Sequence, residues 1–241
     1  MSTSVVSGPT TAPRATEDDR VLLIVENDLA FARVLPPELG SYLDFVTPGI
    51  LAQSVLTISI FQGITAIWER DQGTLQKYLV SPMPRSALVL GKGIGSGVRG
   101  AVQAITISVL ALLMGVHLSA NPLHWLGAVG FVLLGAICFS TISLIIAALV
   151  RTRERVQGLG QLIMMPLFFA SNALYPIALM PDYVAAIAMF NPLSYMVDGL
   201  RSLMVPASQA HFPLLLDFGV LIVVDVVLAW LAARLYPRVV Q

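Results

Sequence analysis

The sequence predicts an all-α integral membrane protein, a polytopic helical bundle with five transmembrane helices and short re-entrant helices on its outer side. Three observations predict it. Of the 241 residues, 56% are apolar and 12% charged, whereas an ordinary soluble domain carries roughly 25% charged residues. Five apolar stretches in the chain reach the length of about 20 residues that a helix needs to cross a hydrocarbon core of roughly 30 Å. Most of the charged residues fall outside these stretches, in residues 1–44 and in the connecting segments. Lys plus Arg balances Asp plus Glu at 14 each, so no basic field points to nucleic acid and the membrane is the expected partner.

Residues 1–41 are read as an N-terminal tail and residues 42–241 as the transmembrane domain. The opening MSTSVVSGPTTAP has no basic region followed by an apolar core, so it does not read as a secretory signal. The run VLLIV at 21–25 is too short to span. The expected spans are Phe45–Ile67, Ser86–Val116, Trp125–Val150, Val156–Met180 and Pro213–Tyr236.

In the second span Lys92 and Arg99 occupy the opening turns, so its lipid-buried part is expected nearer Gly100–Val116. The third has no charge and holds Cys138, the single cysteine, which excludes an intrachain disulfide and a thiol pair for a metal. Pro166 and Asn172 in the fourth are expected to form a kink and its polar satisfaction. Asp225 lies near the middle of the fifth, where an acid costs about 2.5–3.5 kcal/mol on insertion scales. It must face protein or water. The expected partner is Ser, Thr, Asn or Gln on a neighbouring helix, and the alternative is a cationic substrate or a proton.

Basic residues in short loops are retained on the cytoplasmic side. Arg70, Lys77 and Arg85, then Arg151, Arg153 and Arg155, then Arg234 and Arg238 follow the first, third and fifth spans. These three sites predict an inner C-terminus and, with five spans, an outer N-terminus. His117, His124 and His211 fall near outer span ends and read as interfacial polar residues rather than a metal site.

Two connecting segments carry the chemistry. In the inner loop Trp68–Arg85, the run TLQKYLV can form two helical turns with Leu75, Tyr78 and Leu79 on one side. The outer segment Pro181–Phe212 is apolar but broken, which predicts two short helices dipping into the outer leaflet. Asn191 followed by Pro192 is a helix start, and Asp198 and Arg201, three apart, should pair on one face.

Gly95, Gly97 and Gly100 match GxGxxG, but without a preceding strand the pattern is no dinucleotide site. Gly91 with Gly95, and Gly93 with Gly97, read instead as close helix-packing positions. The sequence contains no GxxxxGK[ST] loop, so ATP hydrolysis is expected in another polypeptide.

YLDFVTPGIL at 42–51, ERDQGTLQKYLVSPMPRSALVLGK at 69–92 and FNPLSYMVDGLR at 190–201 together resemble the ABC-2 type permease family, in particular its daunorubicin-resistance-like drug or lipid exporters. The resemblance runs from Tyr42 to the C-terminus, without the span that the family usually places before it. It implies a multi-pass subunit of the bacterial plasma membrane that dimerises, as homo- or heterodimer, and recruits a cytosolic ABC ATPase. No cofactor is then expected in this chain, ATP being held by the partner. By the same resemblance the loop 69–85 supplies the coupling helix. Glu69 would orient it, Leu75, Tyr78 and Leu79 would make its apolar contact, and Arg70 and Lys77 would meet acidic groups. Asn191, Pro192, Tyr195, Asp198 and Arg201 would shape the outer gate. The competing classes are an ion-coupled secondary transporter using Asp225 and a membrane-embedded enzyme. Against the enzyme, no Ser with His, paired carboxylates or metal triad share one membrane depth.

Overall fold

A computed structural model describes residues 42–73, 85–150, 152–177, 180–205 and 211–240, all within the unit Glu38–Gln241. Their helices are α1 (Tyr42–Ile60), α2 (Gln62–Asp71), α3 (Arg85–Leu113), α4 (Pro122–Leu149), α5 (Arg153–Phe169), α6 (Asp182–Phe190), α7 (Pro192–Met204) and α8 (Leu214–Val240). No strand occurs among the described residues. The tail 1–41 and the stretch TLQKYLV lie outside the described residues.

Among the described residues, four helical stretches are long and apolar enough to cross a membrane: Leu43–Glu69, Ala87–Leu113, Pro122–Leu149 and Leu214–Leu235. The expected fourth span, Val156–Met180, is corrected in its extent, since its helix starts at Arg153 and ends well before Met180. Its helix α5 closes at Phe169 after 17 residues, a rise of about 25 Å, and its first turn holds Arg153, Glu154 and Arg155. Pro166 brings no N–H to the last turn. The backbone N–H of Ala170 returns to Pro166 O at 2.9 Å, and the chain leaves the helix axis.

α4 is the hub. It is uncharged from end to end, so no face needs water, and it starts on Pro122 with Asn121 Oδ1 accepting from Leu123 N at 3.0 Å. Phe131, Val132 and Phe139 of α4 pack in one core with Leu51 and Val55 of α1 and with Leu193, Met196 and Leu200 of α7. α3 approaches α4 closely because it presents small residues there. A Cβ on Gly93 would meet Ile137 atoms at 3.0–3.3 Å, and one on Gly97 would meet Leu133 Cδ2 at 2.5 Å. Gly91 and Gly95 do not share this role, since a Cβ on either meets nothing within 4 Å. Only half of the expected glycine packing is therefore used inside the chain. The opposite face of α3, including Val102, Ile105 and Val109, is exposed, as a lipid-facing helix should be.

The first span is broken at Phe61, a feature its apolar sequence does not announce. Ile64 N bonds to Phe61 O at 3.2 Å, which leaves Ile60 O without its helical donor. The hydroxyl of Ser143 on α4 donates to Ile60 O and accepts from Gly63 N. A Cβ on Gly63 would stand 2.5 Å from Ser143 Oγ, so the contact requires glycine.

Candidate functional site

The hydrogen bonds sort the connecting segments onto two ends of the bundle. At one end lie the start of α1, the turn after α3, the start of α4, and α6, α7 and the start of α8. His117 N donates to Asp44 Oδ1 at 3.0 Å, Ser119 N to Met204 O at 2.8 Å, and Trp125 Nε1 to Ser119 O at 2.8 Å. His117 and His211 are exposed, and His124 Nδ1 lies 2.9 Å from Ser119 Oγ. At the other end lie the segments that flank the inner loop.

The first end holds the five residues singled out as an outer gate. Asn191 lies between α6 and α7 and serves both its own helix and α5. Its Oδ1 accepts from Leu193 N at 3.0 Å, with Pro192 at the first helical position, so the expected helix start is observed. Its Nδ2 donates to Leu167 O at 2.6 Å and Ala170 O at 3.2 Å, satisfying carbonyls that the end of α5 leaves without donors. Tyr195 donates to Met189 O at 2.5 Å and stacks on Phe212 with ring centroids 5.1 Å apart. Burial, and then the charge of Asp217, raise its phenol above the ordinary range.

Asp198 is fully buried and gathers three donors: Asn172 Nδ2 at 3.2 Å, His211 N at 3.0 Å and Phe212 N at 2.8 Å. The direct Asp198–Arg201 pair expected from their spacing is corrected: no salt bridge joins them among the described residues. Arg201 instead donates to Asn172 O at 2.7 Å and Phe45 O at 3.3 Å, with its guanidinium 3.9 Å from the Phe45 ring centroid. Burial lowers its pKa to about 10, against the opposing pull of Asp198, so it remains a cation at neutral pH. Asn172 therefore stands between acid and base. Its expected role beside the Pro166 kink is corrected too, because it lies beyond the end of α5 and bonds to α7.

Asp217, which the sequence analysis did not single out, lies fully buried in the first turn of α8. Neither of its carboxylate oxygens has a hydrogen-bond partner. The signal was available, since LLLDF is an acid inside an apolar run just as Asp225 is. Asp225 is 8% exposed, and no nitrogen or oxygen donor reaches its two oxygens. The expected Ser, Thr, Asn or Gln partner is absent among the described residues, and the neighbouring polar group is the Cys138 thiol of α4, a weak donor.

At the other end, Lys92 Nζ contacts Glu69 Oε2 at 2.5 Å, and Gln62 Nε2 donates to Lys92 O at 3.3 Å. Arg153 NH2 reaches Asp71 Oδ2 at 2.7 Å and lies 5.2 Å from the Trp68 ring centroid. The residues that enter the inner loop are thus tied to α3 and α5. Leu75, Lys77, Tyr78 and Leu79, together with the side chain of Arg70, lie outside the described residues.

Long apolar helices around an uncharged hub, with charged connectors at one end and a short buried helix, α7, at the other, define a polytopic helical membrane protein. The family model described as ABC-2 type transporter matches residues 21–205, and the chain belongs to that family. The match begins at Val21, upstream of Tyr42, and ends at Val205, short of the C-terminus to which the sequence resemblance runs. The chain is 30% identical over 166 residues to the daunorubicin resistance ABC transporter permease protein DrrB1 of Streptomyces coeruleorubidus, covering 68% of this chain and 58% of that protein. It is 28% identical over 165 residues to the putative transport permease ycf38 of Cyanophora paradoxa, covering 68% and 57%. It is 25% identical over 187 residues to the inner membrane transport permease YadH of Escherichia coli, strain K12, covering 76% and 70%. The chain thus spans under three fifths of the length of the first two of these relatives.

Proposed function

We propose that the chain is the transmembrane permease subunit of an ABC exporter that moves an amphipathic drug, lipid or glycolipid across a bacterial plasma membrane. It acts with a second permease subunit and a separate cytosolic ATPase. The observation that carries this reading is the family match over residues 21–205. DrrB1, ycf38 and YadH bear names of permeases, the first in drug resistance.

In this reading the loop 69–85 receives the ATPase through Leu75, Tyr78 and Leu79, with Arg70 and Lys77 facing acidic groups. Support comes from its flanks: Glu69 is bonded to α3 and Asp71 to α5, so a push on the loop is delivered to several helices at once. The cluster of Asn191, Pro192, Tyr195, Asp198 and Arg201 closes the pathway at the far end. Its support is that α7 is buried in protein rather than laid on a surface.

Purification from native membranes should recover a P-loop ATPase in equimolar amount. Changing Leu75 and Tyr78 together to Asp should release that ATPase and abolish transport without lowering membrane insertion. Repeated recovery of this chain alone, with transport intact, rejects the reading. A second reading, an ion-coupled transporter, draws on Asp225, whose neighbouring polar group is the weak thiol donor of Cys138. Transport that persists without ATP and follows an ion gradient would favour it.

A further inference from the structure

We propose that Asp225 is the anionic end of an intramembrane binding site for the cationic head of an amphiphile, whose apolar body lies in the groove beside it. The inference rests on the export reading above and specifies its substrate class.

The groove has a volume of about 470 Å³ between α3, α4 and α8, within the range of roughly 300–1,000 Å³ typical of small-molecule sites. Leu90, Leu134, Ile137, Ile222 and Trp230 form its walls, and Asp225 is the charged residue among its lining. Asp225 lies eleven residues from Leu214 and ten from Leu235, the two ends of the span, and so at its middle.

Asp225 is over nine-tenths buried, and among the described residues no nitrogen or oxygen donor reaches either carboxylate oxygen, the weak thiol donor of Cys138 being the neighbouring polar group. An unpaired ion at that depth is costly. A neutral hydrocarbon would fill the walls and leave the charge unpaired. An anion would add repulsion. A cationic head satisfies the carboxylate while its chain replaces lipid against the walls. The head has one end to occupy, because the Arg234 guanidinium lies 3.9 Å from the Trp230 ring centroid one turn further along α8. That positive charge turns a second cation away.

The test uses the full chain in phosphatidylcholine nanodiscs, with tritiated dodecyltrimethylammonium as a permanent cation and tritiated dodecanol as its uncharged counterpart. Asp225→Asn keeps the shape of the side chain and removes the charge. It should weaken cation binding about tenfold or more while leaving dodecanol within about twofold. Asp225→Glu should retain cation binding, and Ile222→Trp, which fills the groove, should weaken both probes.

Wild-type cation binding in Asp225→Asn or in Ile222→Trp overturns the proposal. So does a fall in the dimer fraction of Asp225→Asn with cation affinity unchanged, which would assign the groove to a second copy. If Asp225→Asn folds poorly, Asp225→Glu and Ile222→Trp decide. Cation binding without any ATPase recovered from native membranes removes the export reading and keeps the site. An ATPase recovered with cation selectivity missing removes the site and keeps the reading.

Discussion

The side-chain amide of Asn172 donates to Asp198 Oδ1 at 3.2 Å across 26 residues of sequence, and its backbone carbonyl accepts from Arg201 at 2.7 Å. One asparagine thus separates an acid and a base that could have neutralised each other directly. The segment after α5 is held to α7 by polar bonds in a place otherwise filled by apolar packing.

The contributions of the two partners should be unequal. Asn172→Ala leaves Asp198 with two backbone donors, whereas Asp198→Ala strips partners from Asn172, His211 and Phe212 together. Thermal unfolding in detergent should show a loss of about 1 kcal/mol for the first and about 3 kcal/mol for the second. Equal losses would mean that the network does not bear on stability as its geometry states.

Lys92 and Glu69 have side chains 14% and 26% exposed, sheltered enough for their pairing to be measurable. A double-mutant cycle with Lys92→Ala and Glu69→Ala should return a coupling of about 1 kcal/mol, falling as salt rises. A coupling of zero at low salt would show that α2 and α3 are joined by packing alone.

Glycines on two helices should respond oppositely to alanine. A Cβ on Gly49 would stand 2.3 Å from the Ala173 backbone oxygen, while one on Gly95 meets nothing within 4 Å. Gly49→Ala should cost about 2 kcal/mol or more, because backbone cannot move aside as a side chain can. Gly95→Ala should be neutral or stabilising by up to about 1 kcal/mol through helix propensity. A destabilised Gly95→Ala would reveal a partner seated on that face of α3.

Topology has its own measurement. In a Cys138→Ser background, single cysteines at Ser7, Thr74 and Gln241 are offered to an impermeant thiol reagent on intact cells. The basic inner sites predict reaction at Ser7→Cys only. Labelling at Thr74→Cys or Gln241→Cys would reverse the orientation of the whole chain.

The helical class was legible because apolar run length alone determines it, and Asn191–Pro192 was legible because a cap is a local matter. What depends on a distant neighbour was not. The end of α5 at Phe169 required seeing that the following residues turn toward Asp198 and Arg201. The break at Phe61 depends on a hydroxyl 83 residues beyond Ile60. Asp198 and Arg201 stand at a spacing that suits a helical pair, yet each finds better-placed partners on other segments. The missing partner of Asp225 was beyond reach for the same reason: spacing along a chain says which faces align, not which atoms meet.

The break in the first span bears on how movement could pass through the molecule. Ser143 fastens the backbone on both sides of Phe61, at Ile60 O and Gly63 N, to the least polar helix of the bundle. Beyond the break the chain runs to Glu69 and Asp71, and before it to Phe45, on whose carbonyl and ring Arg201 rests. A helix that is broken and fastened at one point bends there. Displacement of the charged end would therefore be taken up at the joint that Ser143 holds, while the arm that carries Phe45 and the guanidinium of Arg201 stays seated in the core.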